Sequence, residues 1–220
     1  MAVKGGKAGY HHGDLRNALT EAAVELAAEG GPERVVLREA ARRVGVSPTA
    51  AYRHFGSHCD LLGAVKERCQ RQLAASMARA VEEGPELPDA GEEAVRRTVA
   101  IGRGYVRFAV ENPGLYRSAF SRVVLDGAAG DHGLVFAGVL PPGDDPVFRA
   151  FRALSDTLDA LVESGRMRPG NRAGAEVAAW STVHGLSLLI LDGPLARLPE
   201  EQRDAVVDRS LEAIVAGLTR

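Results

Sequence analysis

Apolar residues return every three or four positions along nearly the whole chain, and no segment shows the strict alternation of a half-buried strand. Leu15, Ala18, Leu19, Ala22 and Leu26 make the inner stripe of a first helix over 13–29, ended by Gly30-Gly31-Pro32. A second helix is expected over 37–44 and a third over 48–54. Ser57 stands where it can cap a long fourth helix over 58–82, and Gly84-Pro85-Glu86-Leu87-Pro88-Asp89 reads as a linker. Further helices are expected over 91–111 (stopped by Asn112-Pro113), 114–124, 146–163, 172–191 and 200–218. The stretch 126–145 has five glycines and the pair Pro141-Pro142, and reads as a long mobile or functional loop. The expected fold class is all-α, with a helical head at 10–56 and a larger helical body at 57–220.

The turn between the second and third helices carries specific chemistry. Gly45 follows the helical run Leu37-Arg38-Glu39-Ala40-Ala41-Arg42-Arg43-Val44 and can take the positive φ that a tight turn needs. Val46 can plug a small core. Ser47 offers an N-cap oxygen, and Pro48 takes the first helical position, where its missing N–H costs nothing. Helix, glycine turn, helix is the layout of a helix-turn-helix, whose second helix enters a DNA major groove. Thr49 and Ala50 are short enough to let that helix approach, while Tyr52, Arg53 and His54 supply groups for bases and phosphates. Arg38 and Arg42, one turn apart, are candidates for backbone phosphates, as are Ser47 and the N-terminal N–H groups of the third helix. The bland reading of Arg38, Arg42 and Arg43 is an ordinary solvated face, and that of Phe55 is core.

Ala41-x-x-x-Gly45-Val46-Ser47, Tyr52-x-x-Phe55, Ser57 and Leu61-Leu62 resemble the DNA-binding domain of the TetR (tetracycline-repressor-like) transcriptional regulators. The opening Tyr10-His11-His12-Gly13-Asp14-Leu15-Arg16 is similar to one branch of that family. Trp180-Ser181-Thr182-Val183-His184-Gly185 resembles a Trp-His-Gly-type C-terminal regulatory domain. The resemblance implies that Thr49, Ala50, Tyr52, Arg53 and His54 read DNA, and Ser47 and Pro48, at the start of the same helix, are counted among the DNA-contacting residues. It also implies a phosphate contact at position 58, where many members carry lysine and this chain has His58, a weaker or pH-dependent anchor.

Composition changes this picture little. The net charge of −2 argues against a generic nucleic-acid binder. Yet residues 1–56 hold 8 Lys/Arg against 6 Asp/Glu, and the remainder is acidic, as suits a small DNA-reading head on an acidic body. No run of apolar residues is long enough for a membrane span, and Met1 to Gly9 lacks the apolar core of a secretory signal. Cys59 and Cys69, ten apart on one helix, lie about 15 Å from each other, too far for a disulfide. A reduced cytoplasmic protein is expected. His11-His12 lacks further ligands at metal spacing; Asp14 reads as the N-cap of the first helix, and neither metal nor cofactor is expected.

In the body, aromatic residues gather between 90 and 185. Tyr105, Phe108, Tyr116, Phe120, Trp180 and His184 are candidates for a small-molecule effector site, with Phe136, Phe148 and Phe151 nearby in sequence. Trp180 and His184, at i and i+4, equally suit a core brace. The last two helices carry more apolar surface than one core needs. Val183, Leu186, Ile190, Leu211, Ile214 and Leu218 are the expected contacts of a homodimer built as a four-helix bundle, an arrangement that the resemblance also implies. Phosphate-loop, serine-hydrolase and zinc-protease motifs are missing from the sequence, so an enzyme is not expected. The resulting expectation is a homodimeric repressor on a palindromic operator in double-stranded DNA, released by a small apolar effector. An activator of the same fold, and a helical interaction module without DNA binding, are the alternatives.

Overall fold

Capping chemistry fixes where the helices start and stop. The structure, a computed structural model, describes residues 12–121 and 148–220, with side chains from Leu15 onward. Tyr10, His11, the side chains of His12 and Asp14, Phe136 and the 126–145 stretch lie outside the described residues. Helix α1 (His12–Gly30) buries Leu19, Ala23, Leu26 and Ala27. It already includes His12, so Asp14 stands inside its first turn and not at its cap. Gly31, at φ 85°, turns the chain into a short 3-10 segment, Pro32–Arg34. Helix α2 (Leu37–Val44) ends where Gly45 takes φ 77°, and the Val46 N–H returns to the Ala41 carbonyl at 3.0 Å.

Helix α3 (Pro48–Tyr52) is shorter than the spacing predicts. The N–H groups of His54 and Phe55 both bond to the Ala51 carbonyl, at 3.0 and 3.1 Å. This tightening turns Phe55 fully into the core, so the helix cannot run on to His54. Helix α4 (His58–Glu82) then opens with a capping box: the Asp60 N–H donates to Ser57 Oγ at 3.1 Å, and the Ser57 N–H to Asp60 Oδ2 at 3.0 Å. Helix α5 (Ala90–Glu111) is capped by Asp89, and Asn112-Pro113 passes directly into α6 (Pro113–Ala119). Beyond 148 come α7 (Arg149–Glu163), α8 (Ala175–Leu191) and α9 (Glu200–Leu218). Helix α8 starts later than expected because Pro169–Asn171 forms its own 3-10 turn and Gly174 adopts φ 77°. No strand occurs among the described residues.

One apolar cluster runs from Leu19 and Phe55 in the head, along the stripe Leu61, Val65, Cys69, Leu73 and Met77 of α4, to Ile101, Tyr105 and Leu211 in the body. A second, around Leu154, Leu158, Leu161 and Met167, fills the far end of the body. Helices α4 and α5 cross at Gly104, where the Ser76 hydroxyl donates to the Gly104 carbonyl at 2.9 Å. A Cβ on Gly104 would meet the Met77 Cα and Ser76 carbonyl oxygen, each at 2.7 Å. The head is held to the body in a similar way. Gly114 of α6 lies against the Ala27 and Ala28 carbonyls of α1, and Arg68 of α4 pairs with Glu21 of α1.

Gly104→Ala is expected to force the two longest helices apart. A loss of about 1–3 kcal/mol follows from overpacking a backbone contact. Urea denaturation of the variant beside the parent checks it.

Candidate nucleic-acid interface and body site

Helix α3 presents two distinct faces. Ala51 and the following Phe55 are fully buried, whereas Ser47, Pro48, Thr49, Tyr52 and Arg53 are exposed, Tyr52 at 48%. Thr49, Tyr52 and Arg53, spaced by three and four, share the outer side; Ala50 and His54 are half-buried at its margins. Ser47 Oγ accepts from the Ala50 N–H at 3.2 Å, so one N-terminal donor is satisfied internally. The layout is a short, well-capped helix with an apolar back and an outward polar and aromatic front.

The charged residues around it differ in what they are free to do. Arg38 is exposed and has no ion-pair partner among the described residues. Arg42 forms a fork with Glu39 at 2.7 and 2.9 Å, and this hydrogen bond holds the Glu39 carboxyl below its usual range. A phosphate must therefore compete with Glu39 for Arg42. Arg43 is tied back to Glu29 on α1 at 2.7 Å. His58 is also engaged. Its Nε2 lies 2.6 Å from the Val35 carbonyl, and since a carbonyl only accepts, Nε2 carries the hydrogen. The bond ties the start of α4 to the segment before α2. That is a different task from the phosphate anchor expected of this position, although the side chain remains exposed.

The aromatic candidates of the body converge, with one exception. Tyr105, Tyr116, Phe120, Trp180 and His184 form a cluster of rings with centroids 4.9–6.4 Å apart. Phe151 joins Trp180 at 6.1 Å. Phe108 is buried in the main core and shares no ring contact with the cluster. The Tyr105 and Tyr116 hydroxyls both lie 2.8 Å from His184 Nδ1. A neutral Nδ1 has one in-plane lone pair, so only one phenol donates squarely into it and the other directs its hydrogen elsewhere. Burial lowers the pKa of His184 and raises those of both tyrosines, so all three groups are neutral near pH 7.

Little open volume remains within this cluster. The void beside Tyr105, Trp180 and Ile101 is about 30 Å³, room for one water. A larger cleft, about 310 Å³, lies between α4, α5 and α7, lined by Val81, Ile101 and Ala153 with Glu82, Arg97 and Asp156. None of the expected effector residues lines that cleft; Ile101 alone borders both spaces.

The expected dimer contacts are mostly spent inside the chain. Val183, Leu186, Ile190, Leu211 and Leu218 are buried and Ile214 is partly so, packed against α5 and α7. Helix α8 is apolar on its other side too. Val177, Ala178, Leu188 and Leu189 are exposed, with Ser181 and Gly185 between them. Ala205, Ala213, Ala216 and Gly217 line the exposed side of α9. Elsewhere, burial pushes the Cys69 thiol up to about 12, which makes it inert, and Cys59 is half-buried. Among the described residues no cluster of three metal-ligating side chains occurs, and no helix is long and apolar enough to cross a membrane.

Because the folded pKa of His184 is depressed, the unfolded chain takes up a proton there at higher pH than the folded one. The contribution of His184 to stability is therefore complete above its ordinary pKa of 6.5 and is lost as the pH falls through it. Urea unfolding is expected to weaken more steeply from about pH 7.5 to about 5.5 in the parent than in His184→Gln.

Comparison with known proteins agrees with this arrangement. Residues 19–65 match the family model described as bacterial regulatory proteins, tetR family. Residues 98–214, more than half of the chain, match the tetracyclin repressor-like C-terminal domain. The uncharacterized HTH-type regulator Rv0681 of Mycobacterium tuberculosis is 24% identical over 206 residues, 93% of this chain and 82% of that protein. YobS of Bacillus subtilis, also named an uncharacterized HTH-type regulator, is 28% identical over 111 residues; the match spans 50% of this chain and 54% of YobS, about half of each. Among solved structures, a Rhodococcus sp. RHA1 protein of unknown function is 28% identical with a TM-score of 0.69, covering 97% of this chain and all of that one. The fold is shared with the TetR family regulator PfmR from Thermus thermophilus, at 22% identity and a TM-score of 0.53 over 92% of this chain and 99% of that one. The chain belongs to the TetR family of helix-turn-helix transcriptional regulators, which bind DNA and are not enzymes.

Proposed function

We propose that the protein is a homodimeric repressor, with residues 10–56 reading a palindromic operator and residues 57–220 binding a small apolar effector that releases it. The observation that carries the DNA-reading part is the division of α3. Ala51 and Phe55 anchor it, which leaves Thr49, Tyr52 and Arg53 on a free outer face beside Ser47 and Pro48. A helix so oriented offers a methyl, a phenol and a guanidinium to base edges and phosphates. Arg38 supplies a free cation to the backbone, and Arg42 does so on leaving Glu39.

Dimerisation is assigned to the outer faces of α8 and α9. An apolar face of Val177, Leu188 and Leu189, flanked by small residues, is better covered than left in water. Two such helix pairs make a four-helix bundle and set the separation of the two heads. For effector entry, the cleft between α4, α5 and α7 is the available space, with Ile101 as the partition from Tyr105, Tyr116, Phe120, Trp180 and His184. The last turn of α4 walls this cleft and its first turn holds the head, so a ligand that displaces α4 shifts the heads away from the spacing of about 34–36 Å that adjacent major grooves require.

Selection of duplexes from a randomised pool tests the reading head. The parent is expected to enrich a palindrome with half-sites about one helical turn apart, and Tyr52→Ala with Arg53→Ala to lose it. Equal enrichment by the variant would sink the recognition-helix assignment. The interface is tested separately: Leu189→Glu places a charge in the paired apolar faces and is expected to turn the dimer into monomers in sedimentation velocity, with the helical content unchanged.

A further inference from the structure

A recognition helix of five residues is too short to hold its own orientation. Its N-terminal end is fixed by Ser47, Pro48 and the Gly45 turn. The C-terminal end, where Tyr52 and Arg53 leave the helix, is reached from α1. The Arg16 guanidinium donates through Nη1 to the His54 carbonyl and lies over the Phe55 ring, 4.4 Å from its centroid. Arg16 forms no ion pair among the described residues, and its own carbonyl accepts from the Thr20 hydroxyl within α1 at 2.9 Å. One side chain thus joins two helices at two points: a charge-assisted hydrogen bond to a terminal carbonyl, and a stacked contact with the ring that anchors α3.

We propose that Arg16 is a positioning residue for sequence reading, which fixes the rotation of α3 about its axis and hence the aim of Tyr52 and Arg53. It rests on the assignment of α3 as the reading helix. A basic residue in a DNA-binding head invites the simpler reading of a phosphate contact, but one donor, Nη1, and the flat face of Arg16 are already directed at the protein. The two roles differ in what they predict. Loss of a phosphate contact weakens binding to all duplexes alike and makes its salt dependence shallower by about 0.9 in log–log slope. Loss of a positioning contact leaves the count of neutralised phosphates unchanged and reduces the preference for one sequence over another.

The experiment uses the full-length chain and the duplex enriched by the parent, beside a scrambled duplex of the same length. Arg16→Ala is expected to weaken binding to the enriched duplex on the order of ten-fold, as for one charged hydrogen bond with a stacked contact, and to shrink its preference over the scrambled one in proportion, with the salt slope unchanged. Arg16→Lys, which keeps the charge but loses the planar fork, is expected to recover only part of the preference. Arg53→Ala serves as the control. If it leaves the preference intact, the reading-helix assignment itself has failed. Amide hydrogen exchange of Tyr52 to Phe55 gives a measurement that needs no DNA, and Arg16→Ala and Arg16→Lys are each expected to accelerate it. A shallower salt slope, or exchange and preference both unchanged, would overturn the proposal.

Discussion

Helix α4 is the constraint on which the rest of the molecule depends. It runs through the main apolar core from head to body, burying Leu61 and Val65 at one end and Leu73 and Met77 at the other. Its close crossing with α5 at Gly104 leaves no layer of side chains to absorb a shift. A packed core of this kind moves by rearranging between discrete states and not by gradual deformation. Displacement of α4 must therefore be shared with whatever it touches. At one end that is α1, through Arg68 and Glu21, and at the other it is the wall of the cleft.

The head solves a different physical problem. Its reading helix is marginal in isolation and is held by neighbours: a cap at Ser47, the buried Phe55, and Arg16 from α1. The charges around it are largely neutralised in place, since Arg42 and Arg43 sit on Glu39 and Glu29. Exposed pairs of this sort add little to stability. They do lower the cationic character of the head, in keeping with a net charge of −2 for the chain, and place more of the burden of recognition on shape and base contacts.

Helix order, the glycine turn and the capping positions of α3 and α4 were legible in the sequence because each is a local matter. Gly45, Ser47, Pro48 and Ser57 act on neighbours within four residues. The convergence of Tyr105, Tyr116, Phe120, Trp180 and His184 was legible only as an aromatic-rich region, and Phe108 of the same region lies apart in the main core, because composition does not tell which side of a helix faces which neighbour. The inward placement of the expected interface residues has a related cause. Helix α8 is apolar all round, so no periodicity separates its inner face, with Val183, Leu186 and Ile190, from its outer face, with Val177, Leu188 and Leu189. Arg16 stood in a stretch that resembles the family, but its role gave no signal: its partner carbonyl lies 38 residues away, and one arginine on a polar helix face looks like any other. The early end of α3 had the same origin, since the tertiary pull of Phe55 into the core overrides the local pattern.

Trp180 is the only tryptophan in the chain, and it sits edge-on to Tyr105 at 5.3 Å, partly buried, bordering the small void beside Ile101. Excitation at the red edge of protein absorbance therefore addresses a single fluorophore, packed against the rings of Tyr105, Phe120 and Phe151. Its emission reports the solvation of this one junction between α5 and α8 and is silent about the head. The molecule thus carries an internal optical probe of its own body, one that reads changes around the ring cluster without labelling and without DNA.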